Sequence, residues 1–510
     1  MPTRHLRSES AGHRRLSILL SALVVAACAS ATPSVRIPPG ALPNPPSSPF
    51  GGEPRPEAAT RGAQPLPEAV QELQRTILGG HGAADVVESL TTEVGARLAG
   101  SPTDRVAVAW ALATMRARGL ADVHAEPVKV PVWQRGVETA SLVAPVRHTL
   151  EITALGWSGA TPAKGIVGDI VRFDSVDALM AADPHAVAGK VVFIDTKMRE
   201  TEAGAGYGAA VVTRRAGPAA AASKGALAVV IRSIGSDDSR FPHTGAMQKE
   251  KNLSLALPAG ALSNADADLV DRILMAHGSA RIALNLGPHW LPDADSANVV
   301  GEIRGRDLPG EVVLLGAHLD SWDLGEGAID DGAGCGIVLE AGRALAALAT
   351  RPRRTIRVVL FAAEENSLAG AKEYARAHAA EAANIVAAME ADSGTGKVVR
   401  AALVGAADAR GRFIAIGALL EPLGVRPVEA KGMGGADVST LGELGVPLVD
   451  LRQDEAHYFH THHTANDTFA RIDATALTQA AAAFATTAWG IAEASRDFGR
   501  VPVNERDGGW

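Results

Sequence analysis

The sequence predicts an α/β fold, a mostly parallel sheet with helices on both faces that carries a small β-rich insert. Three observations predict it. Short apolar runs at 311–316, 355–361, 385–389, 400–404 and 447–451 alternate with helical patterns at about 334–349, 367–379, 408–421, 436–443 and 473–494. Such alternation builds a parallel sheet covered on two faces. Polar clusters stand at the carboxyl ends of those runs, where functional groups gather in such sheets. Between 137 and 286 the texture changes to short β-type runs separated by Gly, Asp and Pro. The resulting division is a leader over 1–27, a Pro-rich linker over 28–64, a main domain over 65–135 and 295–497, an insert over 136–294, and a tail over 498–510.

Taken in order, the leader has a basic start, with Arg4, Arg7, Arg14 and Arg15, and an apolar stretch over 16–27 that is short for a permanent span. Val25-Ala-Ala-Cys28 resembles a bacterial lipobox, which implies cleavage before Cys28 and a lipid on its sulfur; ordinary cleavage after Ala29-Ser-Ala31 is the other reading. Either way the chain is exported, as a cell-envelope lipoprotein or a secreted or periplasmic protein. Residues 29–64 are rich in Pro, Ser and Gly and read as a spacer. Only Cys335 then remains, so no disulfide forms within one mature chain, and its small-residue surroundings mark it as a packing residue.

Patterns at 69–78 and 84–90 read as helices. Ser101 before Pro102 opens another over 104–119, and 123–132 alternates like a strand. In the insert, 150–155, 165–173, 190–195 and 228–233 read as strands, with helices at 219–226 and 266–277. This pattern resembles a protease-associated domain. The composition, 47% apolar and 21% charged over 510 residues, describes a globular chain, and a net charge of −8 argues against a nucleic-acid partner.

The densest chemistry lies in Gly316-Ala-His-Leu-Asp-Ser-Trp-Asp-Leu-Gly-Glu-Gly-Ala-Ile-Asp-Asp-Gly-Ala-Gly-Cys-Gly336. Carboxylates and an imidazole at the end of a buried strand are costly to desolvate unless a cation compensates them. His318 is a candidate metal ligand. Asp320, two residues on, would accept its other ring proton and fix the tautomer. Asp330 could bridge two metals with one oxygen for each, and Asp331 suits a cap or loop hydrogen bond. Asp323 reads as a loop residue. Glu364 and Glu365 follow an apolar run; adjacent carboxylates repel unless a cation lies between them or one is protonated. On an extended strand end they face apart, which suits Glu365 as a ligand and Glu364 as a base. Asp392 is a candidate terminal ligand, with Glu390 on the same face. Of the four histidines in 457–463, His463 is the candidate ligand and His462 a candidate for polarising a carbonyl. Arg232 and His243 are candidates for binding a substrate carboxylate.

The set His, Asp, Glu, Asp, His, in that chain order and at strand ends, resembles the M28 zinc peptidases. The stretches that carry the resemblance are His318-Leu-Asp-Ser-Trp-Asp-Leu-Gly-Glu-Gly-Ala-Ile-Asp-Asp-Gly, Ala363-Glu-Glu-Asn, Met389-Glu-Ala-Asp-Ser-Gly, Ile231-Arg-Ser and Phe241-Pro-His-Thr-Gly. The resemblance covers most of 66–495, and within the family these stretches point to a carboxypeptidase branch. The resemblance implies a zinc-exopeptidase-like fold and two Zn2+ per chain. The ligands it implies are His318, Asp330 and Glu365, with His463 or Asp392 completing each pair. It also implies Glu364 as general base for a metal-activated water, dipeptides or short peptides as substrates, and a homodimer. An aminopeptidase of the same family, a one-zinc glutaminyl cyclase and a non-catalytic binding protein are the alternatives. Some relatives have Tyr just before the ligand His, where this chain has His462.

Overall fold

The strand at the centre of the main sheet explains the architecture. Its apolar run faces a core on each side. Val313, Leu315 and Ala317 join one core, and Val312 and Leu314 join another. The strand Leu308–His318 therefore has helices on both faces, as its continuous apolar pattern requires. Helices Gly82–Glu93, Ala333–Ala346 and Ala474–Glu493 supply the first core. Helices Ala369–Ala377 and Ser439–Glu443 supply the second. These features belong to a computed structural model that describes residues 66–200, 205–248, 256–432, 434–503 and 506. The leader, the linker and Cys28 lie outside the described residues, and so do most of the last seven positions.

The main sheet has eight strands, in the order Ala121–Gln134, His289–Ile303, Arg354–Phe361, Leu308–His318, Ile385–Glu390, Leu448–Gln453, Val398–Val404 and Arg426–Pro427. The four from Arg354–Phe361 to Leu448–Gln453 run parallel. His289–Ile303 and Val398–Val404 run against them. The carboxyl ends of the parallel four lie at one edge, and they place His318, Glu364, Glu390 and the 454–463 loop together.

Residues 138–286 build a second eight-stranded sheet with its own apolar core. Its strands Ile166–Phe173, Val191–Ile194, Ala228–Arg232 and Ala259–Leu262 run parallel. Three of its strands, Glu138–Ala144, Ala259–Leu262 and Arg281–Leu286, escape the sequence reading, and the run 150–155 divides into His148–Leu150 and Ile152–Ala154. The helix expected at 219–226 is Ala205–Ser223, which continues through Pro218.

Two boundaries move. Ala121–Gln134 and His289–Ile303 form one antiparallel ladder down to Gln134↔His289, so residues 289–294 belong to the main sheet and not to the insert. The tail is anchored where it begins: Phe498 joins the main core, and Arg500 donates to the carbonyls of Ala382 and Ile385. Among the described residues no helix is long and apolar enough to cross a membrane.

Candidate metal centre

His318 is the last residue of its strand and is buried. Its Nε2 lies 3.2 Å from Asp330 Oδ1 and 3.6 Å from Asp392 Oδ1. On the other side, His463 Nε2 lies 3.2 Å from Asp330 Oδ2 and 3.0 Å from Glu365 Oε2. Each oxygen of Asp330 thus meets a different imidazole. Two groups of donors share the Asp330 carboxylate, His318–Asp330–Asp392 and Asp330–His462–His463, and Glu365 joins the second through His463. Neighbouring donors in a tetrahedral zinc site with bonds near 2.0–2.1 Å stand about 3.3 Å apart, close to these spacings.

Orphaned oxygens give the fit a second test. Asp330 Oδ2 and Glu365 Oε1 are buried without a hydrogen-bond partner. A buried polar atom left unpaired is costly, and a divalent cation would satisfy both. The donor set of imidazole and carboxylate suits zinc, so these residues fit the ion that the resemblance implies. Electrostatics agree. Burial opposes charge on His318, yet the Asp320, Asp330 and Asp392 carboxylates hold it well above its ordinary range. Burial likewise opposes ionisation of Asp330, but His318 and His463 keep it well below.

Local structure explains how the residues arrive. Ala363 takes a left-handed conformation, φ 58°, and turns the chain from strand Arg354–Phe361 into the short helix Glu364–Ser367. Glu364 and Glu365 therefore diverge on a helical turn, not on an extended strand end. Glu365 is buried against His463, while Glu364 stays half-buried. Burial, followed by the Asp392, Glu365 and Asp320 carboxylates, raises the Glu364 carboxyl well above its ordinary value against the pull of His318. A Cβ at Gly334 would collide with the Ala391 carbonyl oxygen. Glycine there lets the start of helix Ala333–Ala346 approach the strand end that carries Asp392.

Three expectations need correction. The His318 ring proton goes to the backbone carbonyl of Asp320, 3.0 Å from Nδ1, while the Asp320 carboxylate is 3.7 Å away and instead accepts the Glu364 N–H at 3.0 Å. Asp320 thus fixes Glu364 as well as His318. Arg232 does not face a substrate; it is buried, and its guanidinium is spent on Asp195, Asp268 and the Asn264 carbonyl. His243 is also buried, with Nε2 on Asp237 at 2.6 Å and Nδ1 on the His462 carbonyl at 2.7 Å. Both ring nitrogens of His243 are engaged, and every nitrogen of the buried Arg232 guanidinium already donates to a protein oxygen.

The loop and cap roles hold. Asp331 accepts from the His318 and Gly334 N–H groups, and Asp323 pairs with Arg135. His462 stacks on His463 with ring centroids 3.5 Å apart and brings Nε2 within 3.6 Å of Asp330 Oδ2. Burial, helped by His463, keeps it well below the ordinary histidine range, so it is neutral. His457 stays at the surface, and His460 is half-buried beside Glu200.

Other residues at the site escape the sequence reading. Asp467 accepts from the Ile329 and Asp330 N–H groups and so sets the backbone that carries the Asp330 carboxylate. Arg97, fully buried, donates to the carbonyls of Leu319, Glu326 and Gly327 and holds both ends of the loop. Asp437 is buried with both carboxylate oxygens unpartnered. Burial and then Glu390 and Glu364 raise it well above its ordinary value. Its place after Gly434-Gly435 at a helix entry repeats the pattern that marks Asp330, which was the available signal.

Known proteins resemble this arrangement. Residues 298–488 match the pattern described as Peptidase family M28. Carboxypeptidase Q of Bos taurus is 36% identical over 404 residues, covering 79% of this chain and 84% of its own. Carboxypeptidase Q of Homo sapiens is 35% identical over 405 residues, with coverage of 79% and 84%. Among solved structures, a Peptidase M28 precursor from Shewanella amazonensis SB2B superposes with a TM-score of 0.82 at 44% identity, covering 85% of this chain and 98% of that one. A zinc aminopeptidase from Bacillus subtilis shares the fold, with a TM-score of 0.57 at 18% identity and coverage of 83% and 95%.

Proposed function

The chain belongs to peptidase family M28 and is a metallo-exopeptidase; from that premise we propose that it hydrolyses dipeptides or short peptides in the manner of carboxypeptidase Q, with two zinc ions per chain. The observation that carries the two-ion reading is Asp330, whose two oxygens face His318 and His463 separately. His318, Asp330 and Asp392 would hold one ion, and Asp330, Glu365 and His463 the other. A one-zinc cyclase would have no use for both histidine–carboxylate clusters, and a binding protein would have no use for Glu364 beside them.

The ions, when bound, supply Lewis acidity for a water and for the scissile carbonyl. The chain supplies the rest. Glu364 accepts the proton of the attacking water and returns it to the leaving amine. Its raised affinity for a proton suits that role, and the Asp320 carboxylate on its N–H fixes where it stands. Neutral His462, next to the bridging carboxylate, would donate to the carbonyl oxygen as charge develops there.

Glu364→Gln should keep both metals and lose at least about a thousandfold in kcat, toward the upper part of what a general base contributes. Asp330→Ala should lose metal, as elemental analysis would record. A metal-replete Glu364→Gln protein with undiminished turnover would overturn the base assignment. Dipeptides blocked at one terminus or the other separate carboxypeptidase from aminopeptidase action; the resemblance to carboxypeptidase Q leads us to expect that a free carboxyl end is required. We further propose export with a lipid on Cys28, which mass spectrometry of the mature amino terminus tests.

A further inference from the structure

The insert touches the metal centre directly. Thr244 donates its N–H to the His463 carbonyl at 3.0 Å, and His463 Nδ1 lies 3.2 Å from the Thr244 carbonyl. These two contacts fasten backbone and ring at once. His463 needs them, since it takes a left-handed conformation, φ 61°, that a side-chain-bearing residue adopts at a cost. Beside it, His243 holds the His462 carbonyl, and the Ser236 N–H donates to the Phe459 carbonyl at 3.1 Å.

The ring contact also fixes a tautomer. His463 Nε2 faces the Asp330 and Glu365 carboxylates, so it must present a lone pair if it binds a cation there. The ring proton is then on Nδ1 and is donated to the Thr244 carbonyl, which also accepts from Arg214 Nη1, itself 3.4 Å from Nδ1. A carbonyl in that position is the arrangement that orients and strengthens an imidazole ligand.

Thr244 is held in turn by Arg135, the residue after strand Ala121–Gln134. Arg135 Nη2 donates to Thr244 Oγ1 at 3.1 Å. The same guanidinium reaches both oxygens of Asp323 at 2.8 and 2.9 Å, Glu138 Oε1 at 2.9 Å, Thr153 Oγ1 at 2.6 Å and the Ala154 carbonyl at 2.8 Å. Thr244 Oγ1 passes its own proton to the Ala154 carbonyl at 2.8 Å. One half-buried cation thus ties the loop after His318, through Asp323, to the insert strand ends and to the residue that aims His463.

We propose that Arg135 and Thr244 are positioning residues of the metal centre: the insert, clamped to the main domain by Arg135, sets the tautomer and direction of His463. The metal centre is incomplete without the insert. This rests on the reading above that His463 is a ligand.

The test measures zinc affinity by competition with a chromogenic chelator, alongside zinc content and melting temperature, in the full chain. Outer partners of metal-bound histidines contribute about 10–100-fold to affinity. Arg135→Met and Thr244→Val should therefore weaken one of two zinc ions by about that factor and leave the other unchanged. Thr244→Ser, which keeps the hydroxyl for Arg135, should recover wild-type affinity. His463→Ala serves as the reference and should lose the same ion. If His463→Ala keeps both ions at full affinity, the ligand reading fails. If it loses one while folded Arg135→Met and Thr244→Val keep both at wild-type affinity, the clamp is overturned and the ligand reading survives. Should Arg135→Met not fold, Thr244→Val against Thr244→Ser decides alone: equal affinities overturn the proposal, and a deficit only in the valine variant supports it.

Discussion

Cys335 shows what burial does to a single group. It is fully buried in helix Ala333–Ala346, and its thiol donates to the His318 carbonyl at 3.2 Å. Burial, then the charge of Asp331, pushes the thiol up to about 12. A thiol so held is not a nucleophile near neutral pH. Native protein treated with iodoacetamide at about pH 8 should show no modification at Cys335 by peptide mass spectrometry, whereas denatured protein should be fully labelled there. Labelling at the same rate in both states would contradict the burial. Asp320 shows where spacing misleads at this scale. The i, i+2 rule holds within a strand, but the strand ends at His318. Beyond that end the loop turns the Asp320 carbonyl to the imidazole and frees its carboxylate for Glu364.

Between elements, the pair His378–Glu126 joins the end of helix Ala369–Ala377 to strand Ala121–Gln134, with Nε2 and Oε1 2.9 Å apart. Glu381 faces Nδ1, and His124 shares Glu126. The Glu126 hydrogen bond raises His378 above 6.5 against the effect of burial. Burial works against Glu126 too, but His378 lowers it below 4.5. The signs follow. The His378 contribution is complete below its unfolded value and is lost as pH rises through the raised folded value. The Glu126 contribution is complete above its unfolded value and is lost as pH falls through the lowered one. Stability from this pair should therefore decline as pH rises from the ordinary histidine value, about 6.5, through the raised folded value of His378, by no more than about 1 kcal/mol for this half-buried pair. Denaturant melts of wild type and His378→Gln should show that slope only in the wild type.

The element scale also explains what the pattern missed. Pro218 reads as a helix boundary, so the expected helix begins after it, yet the structure runs Ala205–Ser223 through that position. The consequence reaches the site. Arg214 and Tyr207 lie on the missed half; Arg214 donates to the Thr244 and Ala246 carbonyls and to Tyr207 Oη. The three missed strands of the insert are short and pair with distant partners, and local periodicity carries little information about such pairings. Helix Ala474–Glu493 is legible to within a residue because its sequence is apolar almost all round, the mark of a helix buried on every side.

For the whole molecule, the metal centre is a set of buried acids that the fold alone does not neutralise. Burial, with neighbouring carboxylates after it, raises Glu364, Glu365 and Asp437 well above their ordinary values. A bound cation relieves that repulsion and binds only the folded chain, so its removal should lower stability. The expected loss is about 3 kcal/mol when free metal stands near a hundred times its dissociation constant. Scanning calorimetry before and after verified removal by a chelator measures it. An unchanged melting temperature in metal-free protein would contradict the placement of these acids around an ion.

The sequence by itself determined the alternation of the main domain, the grouping of His318, Asp330, Glu364, Glu365, Asp392 and His463 at or after the ends of strands, and the family. Each of these is written locally, in apolar periodicity or in short runs of unusual side chains. Only the tertiary structure decided that Asp330 divides its oxygens between two histidines, that Arg232 and His243 are spent on internal partners, and that Thr244 and Arg135 reach the site from the insert. The reason is physical. Periodicity fixes which face of an element is buried, whereas the partner of a buried polar group is set by chain segments far apart in sequence. Arg135 and Asp323, or Thr244 and His463, carry no local mark of each other until the two sheets pack.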